Sequence, residues 1–189
     1  MKNLKVRIIG KSPLLMHNQD LENPLNEFMR AIKKISGKRV KVDADNEEMS
    51  KLEWLGGLYT FNGKIIIPGR AINAMILEAG RKERKGKDVK WGLLCEDAIL
   101  KYEGPKSVEE LWNGGNHINR MMIEVVKGNR ILRTCPQFDK WSAELELQFD
   151  EHLLNEEDLM KYFTIAGQRI GLLDAKRLKF GRFSVEKIK

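Results

Sequence analysis

Cysteine is scarce in this chain. Only Cys95 and Cys135 occur in 189 residues, and they form no Cys-x-x-Cys pair. That excludes a disulfide framework and points to a reduced, cytoplasmic protein. Histidine is equally sparse: His17, His117 and His152 stand apart, and with two lone cysteines they provide no four-ligand zinc set. No cofactor or metal is expected. No run approaches the roughly 18 uncharged apolar residues of a membrane span. The opening MKNLKVRIIGKSPLLM is broken by charges and lacks the apolar stretch of a signal peptide. Nucleophile motifs, a P-loop and HExxH are all absent, so the sequence carries no signature of catalysis.

What the chain does have is positive charge, unevenly spread. Lys and Arg number 34 against 27 Asp and Glu, a net charge of +7. Three segments hold the excess. Residues 30–41 carry six basic groups and no acid, residues 81–90 six and two, and residues 176–189 six and one. The remaining 153 residues hold 16 basic and 24 acidic groups, a net of −8. A mildly acidic protein with three basic segments suits a polyanion track, if the fold brings those segments together. Three separate solvated faces are the plainer alternative. Apolar residues at 42% are enough for a real core.

Periodicity sketches the elements. Residues 3–10 alternate as a strand ending at Gly10, and Ser12-Pro13 forces a turn. Residues 24–36 form an amphipathic helix, with Pro24 at its first position and Gly37 at its end. Residues 44–55 form a second helix, capped by Asp43 or Asp45 and stopped by Gly56-Gly57. Residues 58–67 read as a hairpin through Asn62-Gly63. A helix spans 70–84, a bent strand 93–102 and a capped turn 107–112. A second hairpin occupies 121–134, turning at Lys127-Gly128-Asn129. Residues 141–149 alternate as a strand, 155–170 form a helix, and 179–187 a final strand.

Without insertions the order is strand, helix, strand, strand, helix, strand. That is an α+β, ferredoxin-like or RRM-like antiparallel sheet with two packing helices. The expected organisation is one domain over 1–189, with a helical and hairpin insertion after the first strand at about 19–67. The open face of such a sheet is a surface on which single strands can bind.

Three motifs resemble one family. Ile67-Pro68-Gly69-Arg70-Ala71-Ile72-Asn73-Ala74-Met75, at a strand-to-helix junction, is similar to the IPGSSIKGALR motif of the RAMP superfamily. These are the RRM-fold proteins of CRISPR systems. Gly10-Lys11-Ser12-Pro13-Leu14 resembles that family's first-strand exit. Residues 167–183 (GQRIGLLDAKRLKFGRF) resemble its glycine-rich loop before the last strand. Arg70 and Asn73 stand where the family has serines and a lysine. Size and the lone domain look most like the crRNA-coating backbone subunits and their orphan phage-encoded homologues.

The resemblance implies single-stranded RNA or DNA as partner, and self-association along that strand as a filament or ring. No membrane partner is implied, and the location is cytoplasmic, in a host cell if the gene is a phage's. It implies no catalysis. Some relatives cut RNA with a loop His or Asp; His17, Asp20 or Asp43 would serve if this one does. Docking as a protein-interaction subunit of a larger nucleoprotein complex is a third reading.

The residues themselves suggest where a strand would lie. A helix start at Pro68-Gly69 offers free N–H groups to a phosphate, with Arg70 as a bidentate partner and Asn73 and Arg81 farther along. Lys176, Arg177, Lys179 and Arg182 flank Gly181, with Lys11 at the first-strand exit. His17 and Asn18 follow the apolar turn. Arg30, Lys33, Lys34, Lys38 and Arg39 make the insertion a basic clasp. Trp54, Trp91, Trp112, Phe180 and Phe183 are the aromatic candidates for stacking, of which only one or two should touch bases because most tryptophans on apolar stripes are core.

Overall fold

The structure is a computed structural model, and it describes residues 1–124, 128 and 130–188. In chain order the elements are β1 (Lys2–Gly10), β2 (Leu14–Leu15), α1 (Glu27–Ser36), α2 (Asp43–Gly57), β3 (Thr60–Phe61) and β4 (Lys64–Ile67). Next come α3 (Gly69–Lys82), α4 (Gly86–Gly92), β5 (Leu93–Cys95), β6 (Ala98–Ile99), β7 (Lys101–Tyr102) and α5 (Val108–Asn113). The chain ends with β8 (Ile118–Glu124), β9 (Arg130–Phe138), β10 (Trp141–Phe149), α6 (Glu156–Ile165) and β11 (Phe183–Ile188). Two compact units result. The first comprises residues 1–14, 59–103 and 138–189, and the second 15–58 and 104–137. The expected insertion at about 19–67 therefore supplies only part of the second unit. The 58–67 hairpin falls in the first, and the later hairpin joins the second.

The first unit is the α+β ferredoxin-like fold. Its sheet runs β11-β1-β10-β5, with every neighbouring pair antiparallel. Read by the order β1, α3, β5, β10, α6, β11, this is the strand-helix-strand-strand-helix-strand pattern. Alternation selects the inner face. Leu4, Val6 and Ile8 of β1 and Ala143, Leu145, Leu147 and Phe149 of β10 are all buried. Each large aliphatic side chain so buried contributes about 1.5–3 kcal/mol. Ile72, Met75, Ile76 and Ala79 recur at helical spacing and bury one stripe of α3. α3 packs on β5 and on α6, and α6 packs on β11. Asn155 caps α6, its side chain accepting from the Asp158 N–H at 2.8 Å.

Several expected boundaries shift for local reasons. Pro24 stands outside α1, because Asn26 is the cap and its side chain accepts from the Phe28 and Met29 N–H groups. α2 begins at Asp43, and Asp45 reaches back to accept from the Val42 N–H at 3.1 Å. The bent strand 93–102 becomes three short pieces: β5 and β7 pair with β10, while β6 pairs with β4. Helix α4, which begins within the basic 81–90 stretch and runs to Gly92, is not expected from the pattern. The last strand starts at Phe183, so Lys179 and Arg182 belong to the loop before it.

In the second unit α1 packs on α2, and β8 pairs with β9 as an antiparallel hairpin. The expected turn at 127–129 lies outside the described residues except for Gly128. Trp54 anchors this unit; it is fully buried, and its Nε1 donates to the His117 carbonyl at 2.8 Å.

Candidate nucleic-acid interface

The open face of the ferredoxin-like sheet is laced with ion pairs. Lys5 meets Glu146 at 2.7 Å. Arg7 bridges Glu144 at 3.1 Å and Glu186 at 3.0 Å, and Lys101 joins Glu144 at 2.7 Å. These groups hold each other's charge, and the residues outward-facing by register include no aromatic ring. Among the described residues the face therefore lacks the stacking platform and free cations by which an RRM sheet holds a strand. The sequence-based expectation of binding there finds no support in these side chains.

The motif at the start of α3 is a packing device. A Cβ on Gly69 would lie 2.1 Å from the Cys95 carbonyl oxygen, so only glycine lets the helix start approach β5 this closely. The Gly69 N–H donates to Asp97 Oδ1 at 2.7 Å. The Pro68 carbonyl accepts from the N–H groups of Ala71 at 2.9 Å and Ile72 at 3.3 Å. A carboxylate thus takes the Gly69 N–H, one of the groups expected to meet a phosphate. Arg70 remains exposed, its guanidinium 5.8 Å from the centre of the Tyr59 ring. Asn73 is half-buried, and its Oδ1 has no hydrogen-bond partner among the described residues. Arg81 is exposed in the last turn of α3.

The loop between α6 and β11 and the exit of β1 form one structure. Ser12 Oγ donates to the Lys179 carbonyl at 2.8 Å and accepts from the Arg182 N–H at 2.9 Å. The Lys11 N–H donates to the Arg182 carbonyl at 2.7 Å, and the Gly181 N–H to the Pro13 carbonyl at 2.8 Å. The Trp141 Nε1 donates to the Ser12 carbonyl at 2.9 Å. Gly171, Leu173, Ala175, Lys179 and Gly181 all have positive φ. At Gly181 a side chain would strike the Leu172 carbonyl at 2.1 Å. Such backbone persists only where its surroundings over-determine it. The loop's buried anchors, Ile170, Leu172 and Phe183, do so here.

The loop's charges point outward. Lys11, Arg177 and Lys179 are exposed, with no ion-pair partner among the described residues. Arg182 is half-buried, its Nη1 without a hydrogen-bond partner among the described residues. Lys176 lies 3.8 Å from Glu78 of α3.

The remaining predicted residues lie in the second unit and divide by role. Asn18 is structural: its Nδ2 donates to the Leu58 carbonyl at 3.3 Å, and its Oδ1 accepts from the Asp20 N–H at 3.0 Å. Lys38 pairs with Asp45 at 2.5 Å. Lys38 and the Val42 N–H together hold the Asp45 carboxyl below its ordinary range. Asn18 and Lys38 thus each have a partner within the fold. Arg30, Lys33, Lys34 and Arg39 are exposed. His17 lines a groove of about 750 Å³ with Leu21, Met29, Ile32, Met49 and Glu53. Burial pushes the Glu53 carboxyl up, although it accepts from the Thr134 N–H at 2.9 Å. The three basic segments are thus shared between units, with 30–41 in the second and the other two in the first.

The aromatic candidates separate sharply. Trp54 and Phe183 are buried and are removed from the stacking set. Trp112 is half-buried against Trp54, with ring centres 5.6 Å apart. Trp91 is 75% exposed, with Lys90 Nζ 5.3 Å from its ring centre. The sequence reading missed Phe61, which is 62% exposed beside the Asn62-Gly63 turn. Among the described residues no cluster of three or more His, Cys, Asp or Glu could hold a metal ion. None of the described helices is long and apolar enough to cross a membrane.

No protein-family model matches the sequence, and no curated protein matches it either. Among solved structures, a chain in the structure titled "Cryo-EM structure of the Type III-B Cmr-beta bound to cognate target RNA" is similar over the whole of this chain. The TM-score is 0.59 and the sequence identity 11%. This chain spans 61% of that chain's length. The likeness is one of fold, and it agrees with the RAMP-like arrangement that the motifs resemble.

Proposed function

We propose that the protein is a non-catalytic, largely sequence-independent binder of single-stranded nucleic acid that self-associates along its ligand. The observation that carries this reading is the Lys11, Arg177, Lys179 and Arg182 cluster. A strained, glycine-dependent loop is fastened to the exit of β1 by the Ser12 hydrogen bonds, and it presents cations that no described carboxylate pairs. Rigid backbone with unpaired positive charge positions phosphates and reads no bases. The fold neighbour belongs to an assembly bound to RNA, which supports RNA over DNA as the ligand.

Fluorescence anisotropy with a labelled 30-mer of RNA and its DNA counterpart, titrated at several salt concentrations, tests this. Affinity should fall steeply with salt and vary little with sequence. A flat salt response, or no binding at micromolar protein, sinks the reading. Intact RNA after long incubation, with and without magnesium, is the expected companion result; cleavage lost in His17→Ala would favour an endoribonuclease instead.

One observation favours a second reading, a protein-interaction subunit. The second unit's groove of about 750 Å³ takes apolar lining from Met29 and Ile32 of α1, Met49 of α2, and Ile131 and Leu132 of β9. A monomer that binds no oligonucleotide but holds a protein partner would support it.

A further inference from the structure

The β3–β4 hairpin carries an arrangement that the loop cluster does not use. Asn62 and Gly63 both have positive φ, 48° and 72°, the signature of a tight two-residue turn. Phe61 and Lys64 are direct cross-strand partners across that turn. Directly opposed residues share a face with Cβ atoms about 5 Å apart. Their alternates, Thr60 and Ile65, form the next pair, and Ile65 is buried. The hairpin therefore spends Ile65 on the core and presents a ring and an ammonium together to solvent.

This pair lines a cleft of about 570 Å³ whose other walls include Arg70, Asp97 and Ile99. Ile99 is 49% exposed and adds an apolar group to the lining that Phe61 shares. Asp97 is engaged on the Gly69 N–H, which keeps a phosphate away from the helix start. Lys64 and Arg70 supply the cations at the rim, with Arg70 set against the Tyr59 ring. The lining thus combines the apolar Phe61, Ile66 and Ile99 with two cations, Lys64 and Arg70, and two carboxylates, Glu96 and Asp97. A nucleotide fits that distribution, with its base against the ring and its phosphate toward Lys64 and Arg70.

We propose that this cleft is a nucleobase-stacking site, in which Phe61 stacks one base of the bound strand and Lys64 and Arg70 take the adjoining phosphate. It rests on the single-strand-binding reading and adds to it a specific base contact. Base stacking on an aromatic side chain contributes about 1–3 kcal/mol, or roughly 5- to 150-fold in affinity.

The test uses the full chain and an RNA 30-mer carrying 5-iodouridine, which crosslinks to a stacked aromatic on irradiation. The wild type should crosslink at Phe61, located by mass spectrometry of the digested adduct. Phe61→Leu keeps an apolar side chain on an exposed hairpin position, so its melting temperature should match the wild type's. It should bind about tenfold more weakly, lose the crosslink and keep the same salt slope, because no charge has been removed. Phe61→Tyr should restore both affinity and crosslink. If the wild type binds no oligonucleotide at low salt, the binding reading fails and this site with it. If the wild type binds but Phe61→Leu binds equally well, or the crosslink maps elsewhere, the stacking site alone is overturned.

Discussion

Ser12 holds the loop backbone at Lys179. Its hydroxyl donates to the Lys179 carbonyl at 2.8 Å across 167 residues of sequence and accepts from the Arg182 N–H at 2.9 Å. One small side chain thus joins the exit of the first strand to the approach of the last. Lys179 itself has a φ of 68°, a conformation that a non-glycine residue keeps only under such restraint.

Ser12→Ala removes both bonds at once. Each is worth about 1 kcal/mol net, and the part-buried Arg182 N–H would lose its acceptor. The expected loss is about 1–3 kcal/mol, or a fall in melting temperature of roughly 2–10 °C. Oligonucleotide affinity should drop as well, since the cations beyond Lys179 lose their fixed placement. Thermal unfolding and anisotropy on the same preparation check both, and an unchanged affinity would show that the loop needs no such anchor.

These contacts explain what was legible in the sequence and what was not. Alternation over 141–149 and the 72, 75, 76, 79 stripe each reflect one local period, and both emerged as read. The strand and helix order followed from them. Asp97 capping Gly69, and Asp45 holding Lys38, depend on which side chains meet after folding, so no spacing announces them. The same limit applies to charge. Lys5, Arg7 and Lys101 count in the net charge but lie in a neutral lattice with Glu144, Glu146 and Glu186. Phe61 was read as a strand residue, and the period of a two-residue strand is too short to say which side it faces.

Gly69→Ala tests whether the junction motif is a packing device. The added methyl would meet the Cys95 carbonyl oxygen at 2.1 Å, and that atom is backbone with nowhere to turn aside. Overpacking of this kind costs about 1–3 kcal/mol or more. The midpoint of urea unfolding should fall accordingly, whether or not nucleic acid is present. A variant of unchanged stability that fails only in binding would return the motif to a phosphate-binding role.

Arg177→Ala combined with Lys179→Ala should weaken binding to all sequences about equally. For a single strand each lost phosphate contact lowers the slope of log affinity against log salt by about 0.7, so the pair should lower it by roughly 1.4. Lys38→Ala should leave that slope unchanged and reduce stability instead, because Lys38 is paired with Asp45 at 2.5 Å. Salt titrations of the two variants side by side check this. Equal slopes in both would remove the distinction between loop and insertion.

Asp45 links stability to pH in the usual carboxylate direction. Lys38 first, and then the Val42 N–H, depress its folded pKa below the unfolded value. The folded protein thus binds fewer protons there than the unfolded chain. The stabilisation is present above the ordinary aspartate range, near pH 4 and upward, and is lost as pH falls through the folded value. Asp45→Asn should therefore lower the urea midpoint at pH 7 and differ less from the wild type as pH falls below 4.

Glu53 runs the other way. Burial raises its folded pKa more than the Thr134 N–H and Arg133 lower it, so the folded protein holds that proton more tightly than the unfolded chain. Its destabilising effect is absent below the ordinary glutamate range and grows as pH rises from there through the folded value. Glu53→Gln keeps an oxygen to accept from the Thr134 N–H, which now donates to Glu53 at 2.9 Å, while removing the charge. This variant should match the wild type near pH 4 and have a higher urea midpoint at pH 7. Glu53→Ala instead leaves the Thr134 N–H without its acceptor, at a cost of about 1–3 kcal/mol at either pH. If Glu53→Gln were the less stable protein at pH 7, the charge would be stabilising there, and the ion pair with Arg133 at 3.8 Å would outweigh burial.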